Sequence, residues 1–196
     1  VHGAAGHSSD PSLGNNALDT MHKVMGALIS FRQELAEQHQ HPGFTVNVPT
    51  LNLGCMRAGD NPNRICGHAE LQIDLRLLPG MDSDAVHQQL EQRCQDAAAG
   101  SNTQLTVSTL YPPVPPFESP ADGNLTKMLS ELSDRTPGTV AFGTEAHFLQ
   151  TLGMQTVVWG PGSIDQAHQP DEYLEHAHIQ PAIDTLQKVI GRYCQA

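Results

Sequence analysis

The sequence has 196 residues, a length that suits one medium domain or two small ones. Its net charge of -11, with 10 Lys and Arg against 21 Asp and Glu, would repel a phosphate backbone, so we expect no nucleic-acid partner. No apolar run approaches the roughly 20 residues that cross a bilayer, which predicts no membrane span, and the four cysteines lack a C-x-x-C pair, which favours a reducing, cytoplasmic setting.

The chain begins with a motif-like segment at residues 1–3 and without Met, which leads us to expect a piece of a longer protein. Apolar residues at helical spacing then predict a helix over residues 14–38, and Ser8-Ser9-Asp10-Pro11 supplies candidate capping residues before it. Alternation of apolar and polar residues predicts a strand over residues 44–48 that continues through Leu53.

A second strand pattern covers residues 69–77, and the turn-forming segment 57–63 joins the two strands as a β-hairpin. Asp82 or Ser83 then caps a second helix, and a last strand is predicted over residues 104–110. Helix, strand, strand, helix, strand is the order of a βαββαβ ferredoxin-like unit without its first strand. We therefore predict a four-stranded antiparallel sheet with two helices, the first strand being truncated.

Prolines dominate residues 111–116 and predict a break between domains, because proline removes a backbone donor and fixes φ. The first domain would span residues 1–111 and the second residues 112–196. In the second domain, helices are predicted over 125–132, 145–152 and 179–193, with strands at 139–141 and 156–159. This alternation indicates an α/β domain with a parallel element, too short to complete a sheet of its own.

Turns in the first domain carry candidate site residues. His7 lies at a strand-to-helix turn where backbone N–H groups attract anions, although its surroundings also suit a simple helix cap with a solvated histidine. Asn63 ends the turn between the two strands. Arg76, in a chain with few cations, is suited to bidentate recognition of a carboxylate, but pairing with Asp74 is the simpler explanation.

The second domain offers two further turns. Residues 143–147 precede a predicted helix, where the acidic Glu145 is favourable at the helix start. Residues 160–172 follow a predicted buried strand and hold His168, which is either structural or a metal ligand. Zinc takes about four ligands, and neither an H-x-x-x-H pattern nor a cysteine pair accompanies His168, so this chain alone does not supply a complete site.

Six segments together resemble the M20 metallopeptidase family, and within it the acetylornithine deacetylase subfamily. They are G-H-S-S-D-P at 6–11, T-L-N-L-G at 50–54, G-D-N-P-N-R-I-C at 59–66, D-L-R-L-L-P-G at 74–80, G-T-E-A at 143–146 and G-P-G-S-I-D-Q-A-H-Q-P-D-E-Y-L-E at 160–175. The resemblance runs across nearly all of the chain. It implies a lid domain that also forms a homodimer, followed by the C-terminal portion of an α/β zinc-peptidase-like catalytic domain.

The resemblance also implies roles for individual residues. His168 matches a zinc ligand, and His7 matches a lid histidine that reaches into the other subunit's active site to stabilise the oxyanion. Asn63, Arg76 and Thr144 match positions that hold the substrate's α-carboxylate. The family uses two zinc ions per subunit, or cobalt in their place, but motifs for its other metal ligands and its general-base glutamate do not occur in this sequence. We therefore expect the chain alone to be inactive and to bind these metals incompletely.

The implied reaction of the parent enzyme is hydrolysis of N2-acetyl-L-ornithine to ornithine and acetate, in arginine biosynthesis. Two alternatives stay open. One is a sister deacylase acting on another small N-acyl amino acid, such as acetylcitrulline or succinyl-diaminopimelate. The other is a stand-alone dimerisation module without catalysis.

Overall fold

A computed structural model describes residues 1–140 and 142–194. The chain divides into two compact units, Val1–Pro116 and Phe117–Ala196. The first unit contains helix α1 (Ala17–Gln38), strands β1 (Thr50–Ala58) and β2 (Ala69–Arg76), and helix α2 (Ser83–Ala98). The second contains helices α3 (Asn124–Ser133), α4 (Ala146–Thr151) and α5 (His176–Tyr193).

Helix α1 begins three residues later than its apolar pattern predicts. Asn16 is its N-cap, and the Asn16 side chain accepts hydrogen bonds from the N–H groups of Leu18 (2.9 Å) and Asp19 (3.4 Å). Asp10, one of the candidate capping residues, caps a separate 3₁₀ turn, Pro11–Leu13, so the prediction that Ser8-Ser9-Asp10-Pro11 caps the long helix is wrong. The cause is Gly14, whose extended backbone (φ -161°) separates the short turn from the helix.

Strands β1 and β2 form the predicted antiparallel hairpin, which is confirmed with Thr50 opposite Arg76 and Ala58 opposite Ala69. A β-bulge interrupts the register between Leu53 and Cys55. The predicted strand at residues 44–48 is wrong, since β1 begins only at Thr50. Residues 41–47 instead close a turn of their own, in which the His41 N–H donates to the Asn47 carbonyl (2.9 Å).

The predicted four-stranded sheet is not formed as regular strands: within residues 1–140 and 142–194 the sheet has two strands. Residues 1–8 run antiparallel beside residues 63–69, but pair only through the isolated bridges His2–His68 and His7–Arg64. The predicted last strand at 104–110 pairs at a single position, where Gln104 forms an isolated bridge with His2. Regular strands require several consecutive pairs, and here each segment meets its neighbour at one or two positions.

The core of the first unit lies between α1, α2 and the hairpin, and α1 packs against α2 and both strands of the hairpin. Asp82 caps α2 as predicted, accepting hydrogen bonds from the N–H groups of Asp84 and Ala85 (both 3.0 Å). At the rim of this core, Arg93 of α2 pairs with Glu34 of α1. The inner faces of helices α1 and α2 supply the buried apolar side chains Met21, Val24, Leu28, Phe31, Leu35, Val86, Leu90 and Cys94. The apolar periodicity of both helices therefore identifies the faces that are buried.

In the second unit, the structure confirms the three predicted helices but not the predicted strands. Residues 156–159 are not a strand, and Val158 is 40% exposed. Thr139 and Val140 are also outside any strand, and Ala141 lies outside the described residues. A parallel strand needs a neighbour for its backbone groups, and the described residues of this unit provide none. No helix within residues 1–140 and 142–194 has the length and apolarity needed to cross a bilayer.

Candidate functional site

His7 lies on an exposed turn where its ring is oriented by Ser9. The Ser9 backbone N–H donates to His7 Nδ1 at 3.3 Å, and the Ser9 hydroxyl lies 2.8 Å from the same nitrogen. Because a backbone N–H can only donate, His7 Nδ1 is the acceptor and the ring proton of the neutral imidazole belongs on Nε2. The turn therefore presents an Nε2–H donor on an exposed side chain.

Two glycines bring this turn close to the backbone that precedes α1. A Cβ on Gly3 would lie 2.0 Å from the Asn15 carbonyl oxygen, and a Cβ on Gly6 would lie 2.6 Å from the Leu13 carbonyl oxygen. Neither contact is possible for a side chain, so only glycine permits this approach. The position of His7 thus depends on the packing of residues 1–8 against the start of α1.

Asn63 and Arg64 are held beside the His7 turn by the backbone. The Ser8 N–H donates to the Asn63 carbonyl at 3.0 Å, and the Ile65 N–H donates to the Gly6 carbonyl at 2.8 Å. These two bonds flank His7 and Arg64, which makes them a non-hydrogen-bonded antiparallel pair, the kind whose side chains lie closest. The structure therefore places His7 opposite Arg64, whereas Asn63 adjoins Ser8 through its backbone on the same exposed rim.

Sequence reasoning missed Arg64 and Ser9 as parts of this rim. Arg64 pairs with Asp60 (2.6 Å), and both side chains are more than half exposed. The available signal was an arginine directly after Asn63 in a chain with 10 lysines and arginines. No pattern of single residues reveals that Arg64 lies opposite His7, because 57 positions separate them in the sequence.

Arg76 does not lie near the His7 rim of the same chain. It is the last residue of β2, whereas Arg64 of the rim precedes the first residue of that strand, Ala69, by five positions. At about 3.4 Å per residue, the seven steps from Ala69 to Arg76 span roughly 24 Å, which separates Arg76 from the rim. The Arg76 Nε donates to an Asp74 carboxylate oxygen at 2.8 Å, so the simple pairing considered from the sequence is present.

Thr144 helps to begin helix α4 in the second unit. Its hydroxyl oxygen accepts a hydrogen bond from the Ala146 N–H (3.2 Å), and its carbonyl lies 3.3 Å from His147 Nδ1. A carbonyl can only accept, so His147 Nδ1 carries a proton. His147 is 4% exposed, and its Nε2 finds no hydrogen-bond partner within the described part of the chain. The buried His147 ring therefore holds the Thr144 carbonyl through its Nδ1–H.

His168 lies on an exposed loop in a left-handed backbone conformation, with φ of 62°. Its backbone N–H donates to a carboxylate oxygen of Glu172 at 3.1 Å. Asp171, in the same loop, also has φ of 62°. Left-handed conformations are uncommon outside glycine and concentrate at turns and functional sites, so this loop is held in a specific shape.

The residues present do not fit a zinc centre of the expected kind. Within residues 1–140 and 142–194, no group of three or more His, Cys, Asp or Glu side chains is placed to hold a metal ion. Structural and catalytic zinc sites use three or four protein ligands. His168 therefore has no set of companion ligands among these residues, and we derive no catalytic step from a metal bound by this chain alone.

Comparison with known proteins gives consistent results over the whole chain. Residues 1–102 match the family model of the M20 peptidase dimerisation domain. An acetylornithine deacetylase from Vibrio atlanticus is 44% identical over 194 residues, which is 99% of this chain and 51% of the relative. One from Vibrio vulnificus is 45% identical over the same coverage. The chain spans about half the length of these curated relatives.

Solved structures show the same fold at low identity. A tripeptidase from Staphylococcus aureus has a TM-score of 0.69 at 17% identity, covering 96% of this chain and 48% of its own. An M20 family metallo-carboxypeptidase from Sulfolobus solfataricus has a TM-score of 0.63 at 18% identity, covering 96% of this chain and 58% of its own. The family model covers just over half of the chain, and the relatives match 99% of it. The chain therefore belongs to the M20 peptidase family.

Proposed function

We propose that this chain is the dimerisation domain and the C-terminal part of the catalytic domain of an amide hydrolase that deacetylates N2-acetyl-L-ornithine. The observation that carries the proposal is the His7 ring, whose Nδ1 accepts from Ser9 and whose Nε2–H is available on an exposed turn. A fixed N–H donor is the group needed where negative charge develops on a carbonyl oxygen. The relatives named acetylornithine deacetylase support this choice of acyl amino acid.

The separation of the candidate residues supports action as a homodimer. His7 and Asn63 share one rim, while Arg76 lies at the opposite end of β2. A small acyl amino acid is shorter than strand β2, which is roughly 24 Å long. In our proposal one subunit supplies His7 and Asn63 to a substrate whose carboxylate is held by the other subunit's copy of Arg76. Strand β1 pairs with β2 on one side only among the described residues, which leaves an edge for association.

The candidate residues have separable roles in the proposed reaction. His7 donates to the oxyanion, which exists in the transition state, so His7→Ala lowers kcat by roughly 100- to 1000-fold and changes KM little. Arg76 holds the α-carboxylate before and during reaction, so Arg76→Ala chiefly raises KM. His168 is a metal ligand completed by residues outside this chain, and Thr144 is placed by His147 to bind the carboxylate.

The proposal is tested with a chimaera in which this chain replaces the matching half of the Vibrio atlanticus acetylornithine deacetylase. We expect the chimaera to hydrolyse N2-acetyl-L-ornithine and the 196-residue chain alone to show no turnover. Acetylcitrulline and succinyl-diaminopimelate are assayed in parallel, and a preference for either reassigns the substrate. A chimaera that is folded and dimeric by circular dichroism and sedimentation, yet inactive on all three, overturns the proposal.

The His7 role is tested by mixing two inactive chimaeras, one with His7→Ala and one inactivated in the Vibrio half. If His7 acts across the dimer, a hybrid contains one site with an intact first half and an intact His7, so activity returns to as much as about half per dimer. Hybrid formation is verified by differently tagged subunits. A mixture that forms hybrids and stays inactive shows that His7 does not act across the interface.

A second candidate function is a stand-alone dimerisation module, favoured by the absence of any group of three possible metal ligands in the described part of the chain. Both candidates predict self-association of the 196-residue chain. They differ in the chimaera, which gains turnover only if the residues of this chain retain catalytic competence.

A further inference from the structure

His2 and His68 form a pair of imidazoles that the proposed hydrolase does not use. The two residues face each other in an antiparallel bridge between residues 1–8 and 63–69. The flanking bonds run from the Ala69 N–H to the Val1 carbonyl (2.9 Å) and from the Gly3 N–H to the Gly67 carbonyl (2.9 Å). This pattern makes His2 and His68 a non-hydrogen-bonded pair, so their side chains project from the same face at the shortest cross-strand spacing.

The backbone of the pair is fixed on both sides. The N–H of His2 donates to the Gln104 carbonyl and the N–H of Gln104 donates back to His2, each at 2.8 Å. The amine of Val1 is occupied by the Ala69 carbonyl at 2.8 Å, so it does not compete for a ligand. Both histidine side chains are exposed, which leaves their rings accessible to a solute.

The Nδ1 atoms of the two rings face each other. Their centroids are 4.7 Å apart, while His2 Nδ1 and His68 Nδ1 are 3.4 Å apart. A tetrahedral zinc ion with Zn–N bonds of about 2.0–2.1 Å separates two ligand nitrogens by about 3.3–3.4 Å. The two nitrogens therefore already stand at the spacing that a shared tetrahedral ion requires.

We propose that His2 and His68 form a two-histidine site for zinc or a similar divalent transition metal. Imidazole is the ligand type that these ions share. The ion takes the lone pair of each Nδ1, the proton that the two nitrogens otherwise share moves through water to Nε2 of its own ring, and water completes the coordination. The net charge of -11 favours a cation, and Glu70 follows His68 by two positions on β2.

The site is tested by titrating zinc into the chelator-treated 196-residue chain, with calorimetry and a competing metal indicator as readouts. We expect one zinc per chain at this site, with binding weakened at least tenfold by His68→Ala and by His2→Ala. His68→Ala is the decisive variant, because it leaves the Val1 amine and His2 unchanged. His87→Ala removes another exposed histidine and is the matched control, with no effect on zinc affinity.

Two further measurements keep the result unambiguous. His168→Ala separates this site from the candidate hydrolase ligand and leaves zinc affinity unchanged. Zinc also raises the thermal midpoint of the wild-type chain, because it binds the folded state, and this shift disappears in His68→Ala. Without zinc, His68→Ala should change the midpoint only slightly, since the side chain is exposed and loses one contact with His2. Zinc binding that survives His68→Ala, or no binding at millimolar zinc, overturns the proposal.

Discussion

The two units differ in how they bury their apolar side chains. In the first, Leu28, Phe31 and Leu35 of α1 are at most 2% exposed against α2 and the hairpin. In the second, α5 leaves an apolar stripe at helical spacing at least 40% exposed: Ile179, Ile183, Leu186, Ile190 and Tyr193. Extended apolar surface of this kind is typical of a face that packs against further protein. The first unit thus has a core of its own, whereas the second has an apolar face left to cover.

The largest expected effect comes from truncating the core of the first unit. Phe31→Ala removes a ring that is 1% exposed and should lower the free energy of unfolding by about 3–5 kcal/mol. Ile190→Ala, at a residue 50% exposed on α5, should change it by less than about 0.5 kcal/mol.

Urea unfolding separates the two units in this experiment. Trp159 is the only tryptophan and lies in the second unit, so its fluorescence reports that unit, while far-ultraviolet circular dichroism reports both. We expect Phe31→Ala to shift the circular dichroism transition alone. A fluorescence transition that shifts equally would show that the two units unfold together and would break the comparison.

A smaller effect is expected where the His7 turn meets the start of α1. Gly6→Ala places a Cβ 2.6 Å from the Leu13 carbonyl oxygen and should destabilise the first unit by about 1–3 kcal/mol. Gly26→Ala, inside α1 with no atom within 4 Å of the new Cβ, should stabilise it by about 0.5–1 kcal/mol. Thermal unfolding monitored at the α-helical signal measures both, and equal signs for the two would refute the close approach at Gly6.

The two units also differ in helix capping, which we expect to change the free energy of unfolding by about 1 kcal/mol. Asn16→Ala removes the side chain that caps α1 and should destabilise the first unit by about 1 kcal/mol, while Asn16→Asp keeps an acceptor and should not. Helix α5 has no side-chain cap at Glu175, so Glu175→Ser should gain stability of up to about 1 kcal/mol. Loss of stability in Glu175→Ser would mean that Glu175 has a role other than capping.

The smallest effect concerns pH and the ion pair of Glu34 with Arg93, whose two hydrogen bonds are 2.7 and 2.5 Å long. These bonds hold the pKa of Glu34 below its ordinary value of 4.5. The stabilisation is therefore fully present above that value and is lost as pH falls through the lower pKa of the folded state.

The variant Arg93→Met removes this pH-dependent contribution. The difference in thermal midpoint between wild type and Arg93→Met should be constant above about pH 5 and should shrink toward acid. Both side chains are nearly 40% exposed, so salt should reduce the difference. A difference that grows at acid pH would contradict the assigned direction.

The elements that the sequence predicts correctly are those with local signals. Helix α2 follows from a local cap at Asp82 and an apolar face, and β2 follows from strict alternation over residues 69–76. Both signals lie within one element and its first turn. The predicted strands at 104–110 and 156–159 failed because a strand exists only where a second segment supplies its hydrogen bonds.

Some residues of the candidate site could likewise be predicted from the sequence, and others could not. The sequence singled out the turn at His7, the loop at His168 and the turn at Thr144, because glycine, cap and loop residues mark such places locally. The pairing of His7 with Arg64, the acceptor role of its Nδ1 and the His2–His68 pair emerged only from the tertiary structure. Neighbouring residues therefore determine where helices and strands are favoured in this chain. Its side-chain pairs depend instead on backbone contacts between segments more than 50 residues apart, which no local sequence pattern predicts.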